Sequence, residues 1–248
     1  MLKPPPHLAA ASQAAVPPQY AWDEWRTKEY YMYVQPELFA EVNLLTNKAN
    51  TALTCGVGEW ICARFNALEP DRAPLQFLEA AWAGIIHPGY CEYTETTDDE
   101  WRGVIRAPLA VMIAIANDAL FCLRDDPDVA TRVCWMRNLA LHVLPADNAF
   151  DAWFEGCVRR LLPVHAKSLE SESEAMKVDP FDEVSGQGKP VPREALDLTR
   201  AYDPAAAPNL LDAYLSSLVV EANPFLRSAE ELSRFSEFRH TPYRYVPD

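Results

Sequence analysis

Glycine is scarce in this chain, with 8 in 248 residues against 21 prolines. Hairpin-rich β structure needs glycine for its tight turns, so the scarcity argues against it, and the prolines suit helix starts and loops. Any Cys-x-x-Cys pair is missing too. The cysteines are Cys55, Cys62, Cys91, Cys122, Cys134 and Cys157, five of them within apolar, helix-like stretches. That pattern reads as buried reduced thiols in a reducing cytoplasm, and the lack of a secretory signal supports the same expectation. No His-x-x-x-His and no Gly-x-Ser-x-Gly elbow occurs, and Gly56-Val57-Gly58 has neither a preceding strand nor a following Gly-Lys-Ser/Thr. Positive charge is short as well: 22 Lys and Arg face 36 Asp and Glu, a net of −14. Such a field repels phosphate backbones and anionic lipid, which disfavours direct nucleic-acid or membrane-surface binding, and it steers toward basic proteins.

What the chain does contain is helix. Residues 104–123 are apolar on nearly every side, as a helix at the centre of a domain would be. A bilayer span needs about 20 such residues and tolerates internal charge poorly. The apolar run 107–123 holds Asn117 and Asp118 and is closed by Arg102, Arg106 and Arg124, so a buried soluble helix is the better reading. The expected fold is all-α: a multi-helix bundle around a buried central helix at about 98–124, with an irregular, acidic C-terminal third. Three parts are expected: a flexible Pro/Ala-rich arm at 1–19, a helical core at 20–165, and 166–248 packed on the same core.

Local signals place the other helices. Pro36 opens a helical pattern to about Leu68, in which Gly56 and Gly58 either bend the helix or let a neighbour approach. Pro74 begins another, stopped by His87-Pro88-Gly89. Thr97 and Glu100 have the form of a capping box for the central helix. Asp126-Pro127 and Asp147 mark two further starts, and Asp179-Pro180 and Asp203-Pro204 repeat the signature. A helix is expected over 209–221, and Ser228 with Glu231 forms a second capping box, for a helix running to Phe238. The aromatic tail 243–248 is expected to dock.

Catalytic chemistry is thinly represented. His87, Cys91 and Glu92 have one-turn zinc spacing, but Pro88-Gly89 opposes a helix there and further ligands are lacking. The acidic run Asp98-Asp99-Glu100 is better read as a solvated helix start than as a Mg²⁺ site. His142, late in an apolar helix, reads as a partly buried histidine bonded to the last carbonyls. No metal or cofactor is expected. One enzymatic alternative is a helical hydrolase with a site near Asp118 and His142; another alternative is a scaffold or self-associating subunit. A closed cleft joining Asp118 to His142 would favour the hydrolase, and an exposed acidic-aromatic patch would favour binding.

Two aromatic segments supply such a patch: Trp22 and Trp25 within 20–33, and Tyr90, Glu92, Tyr93, Glu95, Asp98 and Asp99 within 90–101. Tryptophan and tyrosine are preferred interface anchors, and carboxylates raise the association rate with a basic partner. Together with the acidic stretch 168–184, these segments resemble the cytosolic bacterial immunity proteins, the cognate inhibitors of secreted toxins and nuclease effectors. The resemblance is one of general character and carries no motif. It implies neutralisation of a basic toxin by direct binding, without turnover or cofactor.

Overall fold

The computed structural model describes residues 5–8, 16–96, 100–121, 129–146, 148–167, 187–235, 238 and 240–247. Among them are nine α-helices: α1 (Thr27–Tyr31), α2 (Pro36–Val42), α3 (Asn47–Phe65), α4 (Ala73–Ile86), α5 (Gly103–Phe121), α6 (Val129–Val143), α7 (Asn148–His165), α8 (Ala207–Ser217) and α9 (Ala229–Arg234). No strand occurs among the described residues, only isolated antiparallel bridges at Leu45–Ala166 and Cys91–Leu226. The all-α bundle is as the sequence suggests.

The helix enclosed on every side is α3, not the apolar 98–124 stretch. Every α3 residue after Asn47 is buried, and α4, α5, α6 and α7 all pack on it. Its composition explains how. Ala49, Ala52, Gly56, Gly58 and Ala63 are small enough for neighbours to approach from all directions. A Cβ on Gly56 would stand 2.5 Å from Leu196 and 3.1 Å from Trp153, and one on Gly58 would meet Leu78 at 3.0 Å and Met112 at 3.2 Å. Close approach, rather than bending, is the use of this pair. Several polar residues of α3 find partners in the fold: Thr51 and Thr54 donate to the carbonyls one turn back, and Lys48 Nζ donates to Ile86 O of α4.

The pattern that runs from Pro36 to Leu68 is split between α2 and α3. Asn50 Nδ2 donates to the carbonyls of Val42 and Leu45, and Thr46 N–H turns away to His165 O, so the chain breaks at the α2 end and restarts. α5 begins at Gly103 rather than 98, because the Gly103 amide takes Glu24 Oε1 at 2.7 Å. Thr97, Asp98 and Asp99, the caps at Asp126 and Asp147, Cys122, the Asp179-Pro180 cap and the whole acidic 168–184 stretch lie outside the described residues.

In the C-terminal third, Asp203 accepts from Ala205 N–H, and the Ser228–Glu231 capping box is complete although α9 ends at Arg234. Val191, Leu196, Leu211, Leu215, Leu226 and Leu232 join the same buried cluster as the N-terminal helices. A salt bridge ties the two halves: Arg193 Nε and Nη2 donate to Glu59 Oε1 and Oε2 at 2.6 and 2.8 Å. The expected free arm at 1–19 is partly docked. Leu8 is buried, and the His7 ring stacks on Trp153 at 5.3 Å and leans on Trp60.

Candidate protein-binding surface

The 20–33 segment drapes over α6. Asn138 Nδ2 holds the carbonyls of Tyr31 and Tyr33, and His142 Nε2 bonds Ala21 O at 2.9 Å. The His142 ring lies flat on Tyr30, 4.3 Å between centroids. Its partner is thus the draped segment, not the carbonyls of its own helix. Trp22 follows the commoner fate of a tryptophan, half-buried against Tyr30 and His142.

Trp25 does the opposite: it is 96% exposed. The turn beneath it is locked. Asp23 Oδ1 accepts from Trp25 N–H at 2.9 Å, Asp23 O accepts from Arg26 N–H, and the Tyr30 hydroxyl accepts from Asp23 N–H. Arg26 grips Glu29 with two hydrogen bonds one residue further on. An aspartate accepting from the amide two residues later is an Asx turn, so Asp23-Glu-Trp carried a readable signal. A rigid turn that offers an indole wholly to water leaves a large apolar surface unburied, which folding alone does not require.

The 90–96 segment divides. Tyr90 is 1% exposed and belongs to the core, which overturns its place in a partner-facing patch. Its hydroxyl accepts from Tyr243 N–H, its ring packs on Phe238 and Tyr243, and burial pushes its hydroxyl up to about 12. It anchors the aromatic tail. Cys91 is also buried, its thiol pushed up to about 12 by burial, and His87 Nδ1 accepts from Gly89 N–H. Among the described residues no group of three or more His, Cys, Asp or Glu could hold a metal ion.

Tyr93, by contrast, is 54% exposed and rests edge-on against Phe121. Glu95 is exposed, and Glu92 is half-buried and 3.9 Å from Arg227. Asn117 donates to Thr94 O and fixes this segment along α5.

Helix α5 therefore has Trp25 and Glu24 near its first turn and Tyr93 with Glu92 and Glu95 near its last. Its 19 residues separate these ends by about 27 Å. Between them Val104 and Ala114 are exposed and Val111, Asp118 and Phe121 half-buried, one stripe at helical spacing. An ordinary interface of about 800 Å² per partner is roughly 30 Å across, enough to cover both ends. The stripe was missed in the sequence because α5 reads as apolar all round.

Asp118 and His142 are not brought together. Asp118 lies 3.8 Å from Arg132, while His142 is engaged by Ala21 and Tyr30. Among the described residues no hydrogen bond or ion pair joins the two. No protein-family model, no curated protein and no solved structure matches this chain.

Proposed function

We propose that this protein is a stoichiometric inhibitor of the immunity type, which acts in the bacterial cytoplasm by binding a basic toxin or nuclease effector. The observation that carries the reading is Trp25, held almost fully in water by a hydrogen-bonded turn. A preorganised tryptophan loses little conformational entropy on binding and is the side chain most often found at the energetic centre of an interface. The net charge of −14 supports the choice of a basic partner, since opposite fields raise the association rate. Not every carboxylate is available for this. Glu24 caps α5 and Glu92 faces Arg227, whereas Glu95 is exposed and forms no ion pair among the described residues.

The test is capture and then kinetics. The full-length protein is immobilised, exposed to soluble protein from its own cell, and the retained partner identified and purified. W25A should leave thermal stability unchanged and weaken binding by roughly thirtyfold, the scale of a hot spot. Glu95→Lys should slow association and flatten its salt dependence. Equimolar inhibitor should abolish the partner's toxicity. A retained partner that is not basic, or one bound equally well by W25A and by the charge-reversed protein, refutes the proposal.

A further inference from the structure

Arg64, in the last turn of α3, is 5% exposed, yet no ion pair compensates it among the described residues. Its guanidinium lies over the Phe65 ring at 5.6 Å, and Nη2 donates weakly to Pro17 O at 3.3 Å. Nε and Nη1 are buried and have no acceptor. One turn earlier on the same helix face stands Trp60, also 5% exposed, with its Nε1 buried and likewise without an acceptor.

Guanidinium and indole N–H groups donate and never accept, so no change of tautomer or amide orientation can satisfy them. Only an acceptor can. The negative end of the α3 dipole offsets part of the Arg64 charge, but the last helical carbonyls do not reach Nε or Nη1. A buried cation left unpaired is costly, and among the described residues no carboxylate pairs with this one. Of the described residues beside it, Pro17 accepts one donor through its carbonyl, and the Tyr20 hydroxyl donates to Val104 O and accepts nothing from Nε or Nη1.

We propose that Trp60 and Arg64 form a binding site for a small oxyanion, whose oxygens accept from Arg64 Nε and Nη1 and from Trp60 Nε1. A phosphate and a carboxylate share this chemistry, and the experiment separates them. Full-length protein is melted at fixed ionic strength in sodium phosphate, sodium acetate or sodium chloride, and the indole N–H resonance of Trp60, assigned by its loss in W60F, is followed in parallel. The expected result is a saturable rise in Tm with phosphate or acetate but not with chloride, and a shift of the Trp60 resonance at the same concentrations. W60F keeps an aromatic ring and loses the donor, so it should bind the anion about tenfold more weakly. R64M should abolish the response while melting no lower than the wild type without anion. If R64M fails to fold, W60F and the Trp60 resonance still decide. Equal melting in all three salts, an unmoved Trp60 resonance, or an undiminished response in W60F overturns the proposal.

Discussion

The Glu59–Arg193 pair offers the sharpest test of how the C-terminal third is held. Glu59 is 4% exposed, and its Oε1 accepts from both Arg193 Nε and Trp82 Nε1 at 2.6 Å, while Oε2 takes Arg193 Nη2 at 2.8 Å. Arg193→Met would leave that carboxylate buried with the indole as its remaining partner. Stranding one member of a buried pair costs about 3–5 kcal/mol. For a chain of this size 1 kcal/mol moves Tm by roughly 2–4 °C, so the loss should be roughly 6–20 °C. Replacing both members, with Glu59→Met added, removes the desolvation penalty along with the attraction and should return stability to within about 2 kcal/mol of the wild type. Thermal and urea melts of the wild type, both single variants and the double variant close the cycle and give the coupling directly. If Arg193→Met costs less than about 1 kcal/mol, the pair is a screened edge contact and the argument from its burial fails.

Three further outcomes follow from the packing. Burial holds the imidazoles of His7 and His165 neutral, lowering each from 6.5 to about 4, against the attraction of Asp197 in the case of His7. The unfolded chain binds the extra protons first, so their contribution is complete above pH 6.5 and is lost as pH falls toward 4; melts across that window should show His165→Gln with the shallower decline. Gly56→Ala puts a methyl 2.5 Å from Leu196 and should cost about 1–3 kcal/mol in urea titrations. Ser228→Ala removes the oxygen that accepts from Glu231 N–H and should cost about 1 kcal/mol, read in the same way.

Helix signals in the sequence were legible wherever a cap was local. The Asp203 and Ser228 caps and the start of α4 at Ala73, with Pro74 inside its first turn, stand where their residues place them. Starts governed by distant groups were not legible. Glu24, far off in the chain, supplies the acceptor at the head of α5, and His165 O draws Thr46 N–H away between α2 and α3. The site divides in the same way. Residue type suggested Trp25, Tyr93 and Tyr90 alike; the first two are exposed, whereas the tail residues Phe238 and Tyr243 convert Tyr90 into core. Nothing local to Tyr90 distinguishes it from Tyr93; the difference lies in what arrives from about 150 residues later, in the contact between Tyr243 N–H and the Tyr90 hydroxyl.

The exchange of roles between α3 and α5 has a consequence for function. A helix surrounded by four others must be narrow, so the centre went to the one with small side chains and enough internal acceptors for its threonines and asparagine, although it is the less apolar of the two. Hydropathy ranks helices by their dislike of water, whereas enclosure also requires that neighbours can come close. Displaced from the centre, α5 buries one side on α3, α4 and α6 and leaves Val104, Val111, Ala114 and Phe121 partly in water, with Asp118 among them. That stripe runs between the Trp25 turn and the Tyr93 segment. An apolar strip with an anchoring aromatic at each end is the arrangement an interface core requires, with the carboxylates as its rim. The stripe therefore makes a demand that charge alone does not: Ala114→Arg on α5 should weaken partner binding without lowering Tm, and an unchanged affinity would confine the interface to one end of the helix.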